Sequence, residues 1–213
     1  MQPGVQPRHV NLVFQGGGIR GIAYAGALES MPDFCHIHAV AGTSAGAIVA
    51  GLLAIGKNGS ELGDILRDPA MFKLLRPADS ERTQRLVAVF KDLRALLRDT
   101  ERLKLLPLLR LQRKHKHIFE DIRTVWKQRG LHQSGDLREW LERVFGQMTF
   151  GDIILDDLKI VAADVSRQKY VIYDRERNKG MLIAEAVHAS VSIPIFFCPY
   201  MNGPNHFVDG GIL

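Results

Sequence analysis

Gly42-Thr43-Ser44-Ala45-Gly46 is a G-x-S-x-G pentapeptide, and its surroundings decide what the serine could do. The short apolar strand Ile37–Ala41 precedes it, and Ala47–Ile55 follows as an apolar helix ending near Gly56. A serine on so sharp a turn projects its hydroxyl outward only if the residues at −2 and +2 are tiny, and both are glycine. The helix dipole then favours the negative charge that develops there during acyl transfer. The same residues also suit a plain serine N-cap on a buried helix.

Gly16-Gly17-Gly18-Ile19-Arg20-Gly21 satisfies G-x-G-x-x-G and lies between a strand and a helix. Glycines permit a tight turn, and backbone N–H groups at a helix start bind negative charge. That charge is either a pyrophosphate, which would make the chain a nucleotide-binding module, or the oxyanion of a tetrahedral acyl intermediate. A dinucleotide site also wants an acid at the end of the next strand. Here that strand ends Ala39-Val40-Ala41-Gly42, without one. A purely structural glycine turn is the remaining reading.

A serine nucleophile needs a base. In the conventional order of serine, acid and histidine, Asp164 with His188 or His206 qualifies. His188 falls in an expected helix, Ala184–Ser190, where a surface position is the plain expectation, and His206 falls in a Gly/Pro/Asn-rich turn. The other histidines, His9, His36, His38, His115, His117 and His132, all precede Asp164 and read as structural or exposed. Asp209 is a different candidate. It follows Phe207-Val208 and precedes Gly210-Gly211, so it stands at a strand end with room for another loop to approach. A carboxylate can itself take the serine proton when its pKa suits. Local sequence alone would equally allow an Asp-Gly turn.

Positioning these groups needs a sheet. His9–Gln15 reads as a buried strand and Ile22–Met31 as a helix closed by Pro32, so strand–turn–helix occurs twice in the first part of the chain. Strands return at Lys159–Ala163 and Lys169–Tyr173, and Phe196–Tyr200 and His206–Val208 read as extended. Between them, residues 60–129 read as helical and basic. Leu93, Leu96, Leu97 and Leu103 recur at helical spacing among Lys91, Arg94, Arg98 and Arg102, and Pro107 interrupts the run. Ser134–Phe145 is a further amphipathic helix, with Leu137, Trp140, Leu141 and Val144 on one stripe. No internal repeat or low-complexity tract is present.

Composition bounds the reading. A chain of 213 residues that is 46% hydrophobic and 24% charged can bury a core and is not a disordered chain. Met1–Val10 has no secretory-signal pattern and no stretch is apolar enough to span a bilayer, so a cytoplasmic location is expected. Cys35 and Cys198 match no metal spacing and read as buried free thiols. Residues 67–129 carry 17 Lys/Arg against 8 Asp/Glu, whereas the remainder is net negative. This basic middle is a solvated helical face, a surface for an anionic membrane, or a cap packed inward over Ser44; nucleic acid is not the expected partner.

Taken in order, Gln15 through Gly21, Gly42 through Gly46 and Asp209-Gly210-Gly211 resemble the three blocks of patatin-like phospholipases. Ala189 through Phe197 resembles the segment before the last block, and Gly130-Leu131 with Gly135 through Leu141 resembles the family's middle helix. The resemblance implies a three-layer α/β fold with a central, mostly parallel sheet flanked by helices, here with a basic helical insertion over about residues 60–130. It implies one hydrolase domain across residues 1–213 and a Ser–Asp dyad without a catalytic histidine. By position, Ser44 attacks the acyl carbonyl, Asp209 is the base, and backbone around Gly16, Gly17, Gly18 and Ile19 forms the oxyanion hole. Arg20, Gly21, Gly42, Gly46, Gly210 and Gly211 support these motifs. The implied substrate is a phospholipid or other acyl lipid, with no metal or cofactor, and peripheral membrane contact would fall to residues 67–129. Gln15 stands where the family often has Asp or Gly. Family domains continue past the last block, so the domain is expected to be incomplete at Leu213. A catalytically silent relative that binds membranes is the other expectation the resemblance allows.

Overall fold

The computed structural model describes residues 7–71, 134–194 and 197–212. The elements are β1 (Arg8–Phe14), a 3-10 turn (Gly18–Gly21), α1 (Ile22–Glu29), β2 (Cys35–Thr43), α2 (Ala45–Ala54) and α3 (Gly59–Leu66). They continue as α4 (Ser134–Phe145), β3 (Asp157–Asp164), β4 (Lys169–Tyr173), α5 (Arg175–Asn178), α6 (Ile183–Val191), β5 (Tyr200–Asn202) and β6 (Asn205–Asp209).

All ten residues of α2 are buried, which suits a helix with no polar side chain on any face. α3 starts at a capping box, in which Asn58 accepts from the Glu61 N–H and Glu61 accepts from the Asn58 N–H. α4 buries Leu137, Trp140, Leu141 and Phe145 on one stripe. The core gathers α2, α4 and α6 against the sheet, with Phe145, Phe150, Leu52, Leu158, Ile160 and Val187 almost wholly enclosed.

The sheet runs β1-β2-β3-β6-β5, with β4 also paired to β3. It is parallel through β1, β2 and β3, and β4, β6 and β5 join antiparallel. The result is an α/β fold with a central sheet flanked by helices.

The pairing of β3 sets the site. β4 lies along residues 160–164 and takes one edge of β3. A strand has two edges, so β2 and β6 must share the other. β2 covers Asp157 to Val161 and β6 covers Ala162 to Asp164. Running in opposite directions, they meet end to end, Thr43 opposite Val161 and Asp209 opposite Ala162.

Two sequence expectations need correction. β1 is an edge strand, not a buried one: Phe14 is 6% exposed but Val13 is 81% exposed, because the strand alternates between a covered and an open face. Cys35 and Cys198 are only partly buried, Cys35 because it opens a strand beside that edge. Of the extended segment expected at Phe196–Tyr200, Phe196 lies outside the described residues, Phe197 forms a lone bridge, and β5 starts at Tyr200. Of the helical segment expected over residues 60–130, α3 falls within the described residues, and Leu93 to Pro107 lie outside them.

Candidate active site

The chain reverses between β2 and α2 at one residue. Ser44 has φ 54° and ψ −130°, a left-handed backbone that costs a residue with a side chain about 1–3 kcal/mol. Its flanking glycines are sterically required. A Cβ on Gly42 would stand 2.1 Å from the Gly46 carbonyl oxygen, and one on Gly46 2.1 Å from the Phe14 carbonyl oxygen. The turn is therefore wedged against the end of β1. The Ala47 N–H donates to the Ser44 carbonyl at 2.8 Å, which starts α2 at once. Ser44 itself is buried.

The glycine-rich loop lies over this serine. A Cβ on Gly16 would stand 2.9 Å from the Ser44 Cβ, so the loop passes in direct contact. Gly18, at φ +57°, uses the backbone freedom of glycine and borders the same cleft as Ser44. Gly17 caps the 3-10 turn that begins at Gly18, and the first N–H groups of such a turn find no acceptor inside it. The Tyr24 hydroxyl donates to the Gln15 carbonyl at 3.1 Å and ties the loop to α1. Gly21 is buried, and a Cβ there would stand 3.2 Å from that of Ala45. Ile19 and Arg20 are exposed.

Asp209 is buried at the end of β6. Its Oδ1 accepts the Gly211 N–H at 2.7 Å. A Cβ on Gly210 would stand 2.6 Å from the Val161 carbonyl oxygen and 2.8 Å from the Thr43 hydroxyl oxygen. The segment carrying Asp209 thus abuts the residue before Ser44, although the two are far apart in the chain.

A narrow apolar cleft of about 40 Å³ adjoins Ser44. Ala45 and Ile48 of α2, Leu137 and Trp140 of α4, Met71, Val191, Ile193 and Phe197 complete its wall with Gly18. None of these residues is charged. Trp140 is held by its ring N–H, which donates to Asp68 at 3.1 Å, and Arg143 reaches the same carboxylate oxygen at 2.9 Å. The Asp68 carboxyl is pulled below its ordinary range, chiefly by the Ala70 N–H. Sequence reasoning did not single out this wall. Its residues come from five separate segments, and only the stripe of α4 was visible as a pattern.

The conventional triad candidates are placed otherwise. Asp164 is fully buried, and its Oδ1 accepts the N–H groups of Ser166 and Arg167 at 2.9 and 3.1 Å, closing the β3–β4 turn. Its strand partner is Phe207, two residues before Asp209. His206 Nδ1 lies 3.3 Å from the Ser166 hydroxyl. His188 corrects the sequence expectation most sharply. It lies in a helix, as expected, yet is buried rather than on the surface, because α6 packs against the sheet, α2 and α4 at once. Its ring lies 5.2 Å from that of Tyr200, and its Nε2 has no hydrogen-bond partner. Burial pushes its pKa down to about 4, helped by the Arg138 charge and opposed by Glu142. His115, His117 and His132 lie outside the described residues.

The patatin-like phospholipase family model matches residues 12–213. The uncharacterized protein YqhO of Bacillus subtilis (strain 168) is 30% identical over 219 residues, a match covering 96% of this chain and 64% of YqhO. The uncharacterized protein R571 of Acanthamoeba polyphaga mimivirus is 25% identical over 211 residues, covering 94% of this chain and 57% of R571. The chain thus spans about three-fifths of the length of these relatives. Among solved structures, VipD from Legionella pneumophila shares the fold with a TM-score of 0.57 at 20% identity, covering 97% of this chain and 46% of that one.

Proposed function

Because the chain belongs to the patatin-like phospholipase family, we propose that it is a lipid-acyl hydrolase acting through an acyl-Ser44 intermediate. Asp209 is the general base and backbone N–H groups of Gly16–Ile19 are the oxyanion donors. The observation that supports this reading best is the end-to-end meeting of β2 and β6 on one edge of β3, with the glycine loop against Ser44.

In the first step Asp209 accepts the Ser44 hydroxyl proton as Oγ bonds to the ester carbonyl carbon. The carbonyl oxygen becomes an oxyanion facing the glycine-loop N–H groups. Collapse breaks the carbon–alkoxide bond, and the leaving alcohol takes the proton from Asp209. Water, deprotonated by Asp209, then attacks the acyl-serine. That second collapse returns the proton to Ser44 and releases the fatty acid. The uncharged cleft beside Ser44 suits an acyl chain. Residues 67–129 supply the surplus of positive charge for docking on an anionic bilayer. No helix among the described residues is long and apolar enough to cross a membrane.

The test is hydrolysis of an activated fatty-acyl ester by the full-length protein, with fluorophosphonate labelling. Ser44→Ala should abolish both, and Asp209→Asn should lower turnover by at least about a thousandfold. Full activity in both variants would sink the proposal. Stabilisation by NAD or ATP without esterase activity would favour the nucleotide-binding reading. Liposome binding without labelling would favour a silent relative. Replacing His188 and His206 together should leave turnover within about threefold, since general acid–base catalysis by either would be worth far more.

A further inference from the structure

Bringing two strand ends together on one edge of β3 interrupts the ladder. At the junction the pairing passes from parallel β2 at Val161 to antiparallel β6 at Ala162. The carbonyl of Val161 is bonded there by side chains: the Ser190 hydroxyl donates to it at 2.6 Å and the Thr43 hydroxyl at 3.4 Å. The Ser190 hydroxyl oxygen in turn accepts the backbone N–H of Ser44 at 2.9 Å. Two residues on, the Ser192 carbonyl accepts the backbone N–H of Asp209 at 2.9 Å. The Ser192 hydroxyl donates to the His188 carbonyl at 2.7 Å, which fixes Ser192 to the last turn of α6. Both serines are fully buried, and Val191 between them lines the apolar cleft.

From this arrangement we infer that Ser190-Val191-Ser192 is the positioning strap of the site, and that the Ser190 hydroxyl is the group that holds Ser44 in its reactive conformation. The inference rests on the Ser44–Asp209 reading above. The physical case is specific to the turn. Ser44 is the residue before α2, so its N–H has no acceptor inside that helix. It is buried, so an acceptor must come from elsewhere, and Ser190 supplies it. The same hydroxyl donates to the Val161 carbonyl at the strand junction. One side chain therefore couples the strained turn to the strand pair that delivers Asp209, and the neighbouring carbonyl fixes Asp209 itself. Ser190 touches no reacting atom. Its effect on the reaction passes through the placement of Ser44.

The experiment uses the full-length protein and compares Ser190→Ala, Ser190→Thr and Ser44→Ala at a temperature where each is folded. Ser190→Ala should lower kcat on an activated fatty-acyl ester by about ten- to a hundredfold, the scale of a small misplacement of a reacting group. KM should stay within about twofold, because a residue outside the cleft does not change ground-state binding. Fluorophosphonate labelling should slow by the same factor as kcat. The shape of the pH–rate profile should not change, and Ser190→Thr, which keeps the hydroxyl, should recover most of the rate. Should Ser190→Ala not fold, Ser190→Cys is measured in its place, with the same slowing of labelling expected. Hydrogen exchange at the Ser44 amide of the unaltered protein should be strongly protected. Wild-type kcat and labelling in Ser190→Ala, or in Ser190→Cys where that is read, would overturn the strap whatever happened to the melting temperature, as would a rapidly exchanging Ser44 amide. Ser44→Ala separates the two claims: if it keeps full activity the hydrolase reading fails, whereas if it is inert and Ser190→Ala keeps wild-type kcat and labelling, only the strap fails.

Discussion

Ser44 is held in place by atoms that are missing as much as by atoms that are present. Gly42 and Gly46 leave gaps that opposing backbone oxygens fill to 2.1 Å of where a Cβ would sit. Backbone cannot swing aside as a flexible side chain can, so even one methyl group must shift the turn. Gly46→Ala should cost at least about 3 kcal/mol in urea unfolding and slow labelling of Ser44 with it. Gly18→Ala meets open space but would place a side chain at φ +57°, so its cost should be confined to about 1 kcal/mol. His188 makes a separate prediction. Its folded pKa of about 4 lies below its unfolded value of about 6.5, so the unfolded chain binds more protons between those limits. Stability is therefore complete above about pH 6.5 and falls as pH drops toward 4, by up to about 1.4 kcal/mol per pH unit from this group. Urea midpoints measured across that window should show the slope, and His188→Phe should flatten it. At this scale the sequence announced Ser44 clearly, because strand, tight turn and helix are all local to it. It did not announce Ser190, whose partners are at Ser44 and Val161, far away along the chain. The visible hint was only a pair of hydroxyls just before Pro194 in a segment of small residues.

Elements carry the next level of positioning. α4 reaches the cleft through Leu137 and Trp140 and is tied to the end of α3 by Asp68, which accepts from both Trp140 and Arg143. Asp68→Ala leaves the indole N–H without its partner and should destabilise the protein by about 1–2 kcal/mol in urea unfolding. The element boundaries were legible wherever the pattern was local. The apolar stripe of Ser134–Phe145 and the alternation of Lys169–Tyr173 match α4 and β4 residue for residue. The exposure of β1 was not legible, because an apolar run looks the same in a central strand and at an edge. Nor was the burial of His188, since Glu185 one turn earlier suggested a surface helix while the sheet, α2 and α4 in fact enclose it.

At the scale of the molecule, the apolar cleft is where specificity would reside. Ile48→Phe narrows it and should lower kcat/KM for a long-chain ester by about tenfold while leaving an acetyl ester within about twofold. Equal losses on both substrates would place the acyl chain elsewhere. The fold class followed from two strand–turn–helix units at the start of the chain. The convergence of β2 and β6 on one edge of β3 could not be read from any local pattern.

That convergence has a consequence in time. Ser44 and the hydroxyl that holds its amide are 146 residues apart in the chain, and Asp209 comes later still. At a synthesis rate of about 5–20 residues per second, roughly 10–30 s pass between the emergence of Ser44 and that of Ser190 and Asp209. If Ser44 and Asp209 act as proposed, a nascent chain on the ribosome carries its serine with neither its brace nor its base. The growing polypeptide would thus be harmless to the lipids around it until its last described strand arrives, and reactivity toward a fluorophosphonate would report the docking of that strand.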